Sequence, residues 1–431
     1  MQKRHYGPLV ITVLAILVIP LWWLSFPETT VQHNLKPIPV YLSQVIALTG
    51  FACFALSFVL SARIKKLEDF FGGLDRMYHA HHTLALTAFI LLLLHPLLLA
   101  SRWIPEESER ILWYLFPVHR RIEINIGSYA LWGMIVLTGI TLLKLLPYHI
   151  WKITHKFLGI FLILGMIHII LLDHSFSSNI YLTGYILILS VAGAGSWFYK
   201  TVLFDFIIPK TTYDTHKLHK PYEEVLEIEL SPRDQPVQFK SGQFFFFSFL
   251  TPGMSREAHP YTICWHDAKS GNIKIMVKAL GDYTSRLNRT LKTGVPAVLE
   301  GPYGRFHYNS GKPDQIWIAG GVGVAPFLSW INNTTPWEYL RHTDFYYCVD
   351  TLEEAVYAEQ FRNAEIDNPD FRFHLVCADE VGYLDVTRIP YVSRRDVFIC
   401  GPRAMRAYLL KEFKRLKVDR NKIHYEDFDF M

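Results

Sequence analysis

The chain has 431 residues, of which 51% are hydrophobic, 15% aromatic and only 19% charged, against about 25% charged in an ordinary soluble domain. That composition excludes a disordered chain, a coiled coil and a disulfide scaffold, and the length allows roughly two to four domains. A formal net charge of +4 is too small to argue for a nucleic-acid partner.

Six runs, near residues 8–26, 39–61, 78–100, 124–143, 153–172 and 179–199, lack Asp, Glu, Lys and Arg over most of their length. About 20 apolar residues cross the hydrocarbon core as a helix, so a six-helix transmembrane bundle in contact with lipid is expected over residues 1–205. The first run follows Lys3 and Arg4 but contains Pro20, ends in Trp22 and Trp23 and has no small-residue cleavage site. It reads as a retained helix with an interfacial anchor and not as a signal peptide. Lys156, near the start of the fifth run, can snorkel to the interface. Lys and Arg concentrate in the loops that hold Arg63, Lys65, Lys66, Arg76, Lys144, Lys152 and Lys200, which predicts that side to be cytoplasmic. Six crossings return the chain to it.

Histidines inside apolar helices are costly and mark function. His81 and His95 are 14 residues apart and share a helix face; His155 and His168 are 13 apart. Both spacings amount to roughly 20 Å along a helix axis, so two pairs at matched heights are expected. Imidazole is an axial haem ligand, and two bis-histidine b-type haems stacked across the membrane account for all four. His82 is the rival of His81, because it stands 13 residues before His95. Thirteen residues do not close whole turns of an ideal helix, so either local tightening of the fifth helix or different side-chain rotamers near Gly159 and Gly165 are expected.

After Lys200 the texture changes. Pro209 and Pro221 bracket a polar junction, and short β-rich runs follow at 224–230, 242–249, 261–265, 272–278 and 297–300, the pattern of an antiparallel barrel or sandwich over 211–308. From 313 to 431 strands at 315–319, 344–348, 371–377 and 396–400 alternate with helices, an α/β doubly wound pattern. Gly320-Gly321-Val322-Gly323-Val324-Ala325-Pro326 lies between a strand and a helix, where glycine lets backbone approach a pyrophosphate. Cys53, Cys264, Cys348, Cys377 and Cys400 form no CxxC pair, which argues against a disulfide framework or a zinc site.

The first half resembles the transmembrane domain of the ferric reductase and NADPH oxidase family, in its histidine spacing, its six runs and the match of His81-His82-Thr83-Leu84-Ala85 with His155-Lys156-Phe157-Leu158-Gly159. By that resemblance Phe161 lies between the haems and helps electrons pass. His259-Pro260-Tyr261-Thr262, Val277-Lys278-Ala279-Leu280-Gly281-Asp282-Tyr283-Thr284 and Glu300-Gly301-Pro302-Tyr303-Gly304 resemble the flavin-ring, FAD pyrophosphate and linker motifs of ferredoxin reductase-type flavoproteins. The resemblance implies FAD in the barrel and NADPH at the glycine loop, with Cys400-Gly401-Pro402 near the nicotinamide. It also implies a C-terminal aromatic against the flavin, Phe430 with Phe428 as the alternative. One departure bears on the coenzyme: where NADPH oxidases have Cys-Arg-Asp-Thr, this chain has Cys348-Val349-Asp350-Thr351. The arginine for a 2′-phosphate is missing, and Asp350 suits a ribose hydroxyl, so NADH is the alternative. The loop 101–123 mixes Arg102, Arg110, Arg120 and Arg121 with Glu106, Glu107, Glu109 and Glu123 and reads as solvated charge. The expected activity is transfer of electrons from cytoplasmic NAD(P)H through FAD and two haems to O2, giving superoxide. A ferric chelate, a quinone or a partner protein is the alternative acceptor, and no obligatory protein partner is expected.

Overall fold

Each apolar run of the first half becomes helix, because lipid offers backbone N–H and C=O groups no partner of its own. The computed structural model describes residues 6–24, 37–172, 179–333 and 336–426, and the chain divides into two units, Met1–Ile207 and Ile208–Met431. Among the described residues of the first unit, six helical spans are long and apolar enough to cross a membrane: Tyr6–Leu24, Ile38–Ser61, Leu74–Ser101, Ile122–Leu142, Tyr148–Leu172 and Ile180–Ile207. The first comprises α1 (Tyr6–Ile16) and α2 (Val18–Leu24). α3 (Pro37–Ser61) leads through the short α4 (Lys65–Phe71) into α5 (Leu74–Ser101), and α6 (Ile111–Leu115) lies in the following loop. α7 (Ile122–Leu142) is followed by α8 (Tyr148–Lys156) and α9 (Leu158–Leu172), then by α10 (Ile180–Phe198), which continues through a wide turn into α11 (Phe204–Ile207). Asn179 caps α10, its side-chain oxygen accepting from the N–H groups of Tyr181 and Leu182 at 2.9 and 3.2 Å, which satisfies two donors that would otherwise be orphaned. Ile90, Leu97, Val136, Ile188 and Val191 are exposed, a surface for hydrocarbon and not for water.

The fifth span is not one uniform helix. Phe157 donates to Thr154 O at 3.0 Å and Ile160 to Phe157 O at 2.9 Å. These i to i+3 bonds wind the chain more tightly than an α-helix. The tightening falls two residues before Gly159 and within the 13-residue interval from His155 to His168. The loop charges between α5 and α7 are also more ordered than solvated side chains: Arg102 donates to the Tyr114 hydroxyl at 2.7 Å and lies 4.9 Å over Trp103, while Arg110 lies 4.3 Å over the same indole. Cation–π contact thus builds this loop.

In the second unit, β1 (Lys210–Tyr222), β2 (Val225–Pro232), β3 (Phe244–Phe249), β4 (His259–Thr262), β5 (Trp265–His266), β6 (Ile273–Lys278) and β7 (Pro296–Tyr303) form one sheet in the order β4-β3-β7-β1-β2-β6-β5. All its pairings are antiparallel. Its two edge strands are neighbours in sequence. Between them Ile263 donates to Gln243 O at 3.4 Å and Cys264 to Lys274 O at 2.9 Å, so the ribbon curls until its ends meet. The phenylalanine run of β3 serves both faces. Phe245, Phe247 and Phe249 enter the barrel core, while Phe244 and Phe246 pack on Tyr303. Full burial of each such ring is worth about 1.5–3 kcal/mol. β1 falls where the sequence reads as a polar junction; Tyr213 and Thr215 are its two fully buried residues.

α12 (Asp282–Thr290) closes one end of the barrel. Beyond it β8 (Asp314–Gly320), β9 (His342–Val349), β10 (Phe371–Cys377), β11 (Asp396–Cys400) and β12 (Ile423–Tyr425) form a parallel sheet in the order β10-β9-β8-β11-β12. It is flanked by α13 (Ala325–Asn333), α14 (Ala358–Asp367), α15 (Ala378–Val381) and α16 (Arg403–Arg415). Read in chain order the strands run 3-2-1-4-5, so the winding reverses between β8 and β11. Ligands of open α/β sheets bind at the C-terminal ends of the strands at that point.

Candidate functional site

The four intramembrane histidines come together as two pairs. The rings of His81 on α5 and His155 on α8 have centroids 6.5 Å apart. His95 and His168 lie within electrostatic reach of one another. His82, the rival of His81, is exposed. Each paired histidine is held by its Nδ1. His81 meets the Ser57 carbonyl at 2.8 Å, His95 the Ser43 carbonyl at 3.1 Å and its hydroxyl at 2.8 Å, and His168 the Glu123 carbonyl at 2.7 Å. A carbonyl only accepts, so these three rings carry their proton on Nδ1. Thr141 donates its own proton to Leu137 O at 2.9 Å, leaving its oxygen to accept from His155 Nδ1 at 3.3 Å. The four Nε2 atoms keep a free lone pair and make no hydrogen bond among the described residues. Metal-ligating histidines are fixed in this way. Two imidazoles bound through nitrogen to opposite sides of one metal ion, at about 2 Å each, would place their centroids about 6–6.5 Å apart, as His81 and His155 are. Among the described residues no group of three or more His, Cys, Asp or Glu could hold a metal ion.

Phe161 follows His155 on α9, and its ring lies against Gly133 of α7, where a Cβ would collide with it; at Gly127 a Cβ would stand 2.5 Å from His168. Sequence reasoning missed Ser43, Ser57, Glu123, Thr141 and these two glycines. One signal was available. Ser43 and Ser57 are separated by the same 14 residues as His81 and His95, on the antiparallel neighbour α3.

On the barrel, β4 carries His259-Pro260-Tyr261-Thr262 beside β3. The His259 ring stacks on Tyr283 with centroids 4.3 Å apart, and its Nε2 meets Glu257 at 3.1 Å. The Tyr261 hydroxyl is buried without a hydrogen-bond partner, and burial pushes its ionisation well above the usual phenol range. Thr262 is buried; Pro260 is half-buried. Gly281 is the N-cap of α12, and its α-carbon faces open space. The Thr284 hydroxyl closes the turn by accepting from the N–H groups of Leu280 and Gly281, both at 3.0 Å. Val277 points into the barrel core and presents only its backbone. Lys278 bridges Glu224 at 3.4 Å and Glu354 at 3.9 Å. An orphaned hydroxyl, an aromatic stack and an open helix N-terminus are features a flavin nucleotide fits.

At the winding reversal, Cys400 pairs with Ala319 in register. A Cβ on Gly323 would collide with the Cys400 carbonyl, and one on Gly320 would come within 2.7 Å of the Met405 sulfur. Gly321 adopts φ +51° and faces open space. The glycine loop therefore presses onto the Cys400-Gly401-Pro402 turn and offers its outer edge to a ligand. Val324 and Pro326 are buried beneath it. The Cys400 thiol is buried, and burial with the Glu426 carboxylate beside it pushes its ionisation far up, so it is no thiolate nucleophile. Asp350 is exposed just past the end of β9. Phe428 and Phe430 lie outside the described residues.

Two family matches cover most of these features. Residues 46–166 match the ferric reductase like transmembrane component, and residues 211–307 match an FAD-binding domain. One component of the Na(+)-translocating NADH-quinone reductase of Klebsiella pneumoniae is 30% identical over 156 residues, which are 32% of this chain and 38% of that protein. The propane 2-monooxygenase reductase component of Rhodococcus jostii is 24% identical over 226 residues, 48% of this chain and 60% of that one. The chain thus spans about two fifths of the length of the quinone reductase components it is similar to. Flavohemoglobin from Malassezia yamatoensis, solved with bound FAD and heme, is similar in fold with a TM-score of 0.51 at 16% identity, over 91% of this chain and 98% of that one. The chain has the architecture of the NADPH oxidase and ferric reductase family: among its described residues, six helical spans long and apolar enough to cross a membrane, which include a match to the ferric reductase like transmembrane component, followed by a region that matches an FAD-binding domain.

Proposed function

We propose that the chain is a transmembrane flavocytochrome b that takes electrons from a reduced nicotinamide nucleotide and delivers them singly to O2 across the membrane. Per turnover, one NAD(P)H and two O2 become one NAD(P)+, one proton and two superoxide ions. The observation that supports this reading is the set of four histidines with Nδ1 held and Nε2 free. The division of labour follows the sequence: residues 1–205 hold two haems, 211–308 hold FAD and 313–431 bind the coenzyme. His81 with His155, and His95 with His168, would each hold one haem, and Phe161 fills the level between them. His259, Pro260, Tyr261, Thr262, Gly281, Thr284 and the backbone of Val277 and Lys278 would hold FAD. Gly320, Gly321, Gly323, Val324 and Pro326, with Asp350, Cys400, Gly401 and Pro402, would hold the coenzyme, and Phe430 would shield the flavin until the nicotinamide displaces it. When bound, the flavin accepts electrons as a hydride and releases them one at a time, and haems carry single electrons. Held by two histidines each, the haems would supply single-electron transfer to an acceptor and not a site that binds it. The Lys- and Arg-rich loops support a cytoplasmic position for the second half, at a bacterial inner membrane, and no obligatory protein partner is proposed.

The quinone reductase and monooxygenase reductase components that resemble the soluble half favour a second reading, in which a quinone or a partner protein is the acceptor. A ferric chelate is the third candidate. Oxygen uptake and cytochrome c reduction by the purified, FAD-loaded protein separate them. Dismutase-sensitive cytochrome c reduction matched by oxygen uptake establishes the oxidase. Rapid reduction of a ferric chelate or a quinone under argon, with slow oxygen uptake, replaces it.

A further inference from the structure

On one side of the coenzyme site, the rim formed by the end of β9 is rich in carboxylates. Register places Cys348 of β9 beside Gly320, so Asp350 follows two positions beyond the strand level at which the glycine loop begins. The Asp350 carbonyl accepts from the Asp379 N–H at 3.2 Å, which ties the end of β9 to the first turn after β10. Asp379 and Glu380, both exposed, thereby join the same sheet edge. Glu354 stands close enough to feel Asp350 and Glu224; burial first, then these neighbours, raise its carboxyl. Glu224 and Glu354 share Lys278, at 3.4 and 3.9 Å. Asp350, Asp379 and Glu380 make no ion pair among the described residues.

We infer that this rim selects NADH over NADPH, with Asp350 as the selecting residue; the inference rests on the coenzyme-site reading above. A ribose 2′-hydroxyl is a donor that a carboxylate accepts, as acidic residues do in NAD sites. A 2′-phosphate has no proton to offer and brings further negative charge and acceptor oxygens to a rim already holding carboxylates. Arg or Lys would be needed to hold it, and the residue before Asp350 is the apolar Val349.

The test uses the full-length protein in detergent. Equilibrium binding of NAD+ and NADP+ is measured by titration calorimetry, which needs no turnover, and KM is measured for NADH and NADPH. Wild type is expected to bind NAD+ more tightly than NADP+ by about tenfold or more. Asp350→Ser is expected to remove most of that ratio, by weakening NAD+ and strengthening NADP+, with the melting temperature unchanged because Asp350 is exposed. Equal or tighter binding of NADP+ by wild type, or an unchanged ratio in Asp350→Ser, overturns the selection while leaving the coenzyme site in place. No binding of either nucleotide overturns the site and the selection together.

Discussion

Gly127 decides whether His168 can stand where it does. A methyl group there would meet Cε1 at 2.5 Å and Nδ1 at 2.6 Å, and the ring cannot retreat without giving up the Glu123 carbonyl at 2.7 Å. Gly139, on the same helix, faces open space. Gly127→Ala should therefore displace His168 and lower the haem content per mole of protein by about half, since the His81–His155 pair is untouched, whereas Gly139→Ala should keep it. Pyridine haemochrome spectra of both purified variants decide this, and full content in Gly127→Ala would show that His168 is not a ligand. The four histidines were legible in the sequence because charge-poor helices make each polar residue conspicuous. Their supports were legible only in the spacing of Ser43 and Ser57, because the Ser43, Ser57 and Glu123 contacts include backbone carbonyls, which no side-chain pattern announces. Between His81 and His82 the sequence favours His81 by its match with the segment around His155, and in the fold the His81 ring lies 6.5 Å from that of His155.

The parallel sheet rests on buried charge at the edge opposite the glycine loop. Arg395, 5% exposed, donates to Asp344 and to the Gln315 carbonyl, and so ties β9 to the start of β8. Burial works to raise the Asp344 carboxyl, but the hydrogen bond from His374 at 3.3 Å and the Arg395 guanidinium outweigh it and hold the group below the usual carboxylate range. A carboxylate depressed in the folded state contributes stability above its unfolded pKa of about 4 and loses it as pH falls toward the folded value. Arg395→Met leaves that carboxylate buried without its guanidinium, with only His374 and His342 beside it, which costs up to about 3–5 kcal/mol near pH 7. The deficit should shrink as pH is lowered toward 4, where protonation relieves the buried charge. Thermal unfolding of the full chain, followed by tryptophan fluorescence at pH 7.5 and 4.5, checks it; an equal deficit at both values would assign the loss to packing. At this level the sequence was unevenly readable. Parallel strands buried on both faces advertise themselves as apolar runs, as at 315–319 and 396–400. β1 did not, because its outward positions are Lys217, His219 and Lys220. Its place is set by pairing with β2 on one side and β7 on the other.

Electron transfer across a bilayer moves charge, and that gives the proposed reading its most direct physical consequence. His81 and His95 are separated by roughly 21 Å along α5, about two thirds of a hydrocarbon core near 30 Å thick. An electron passing between the two levels therefore crosses most of the membrane's dielectric, and each NADH oxidised carries two charges to the far side. In sealed proteoliposomes, NADH supplied to outward-facing soluble domains should make the interior negative. The rising potential opposes further transfer at about 2.3 kcal/mol per charge per 100 mV, so valinomycin with potassium should relieve it and speed NADH oxidation. His95→Leu should abolish both the potential and reduction of an acceptor trapped inside, while NADH still bleaches the flavin. A wild-type reaction that is fast, builds no potential and ignores valinomycin would place donor and acceptor on the same side. The histidine pairs would then need a role other than a transmembrane path.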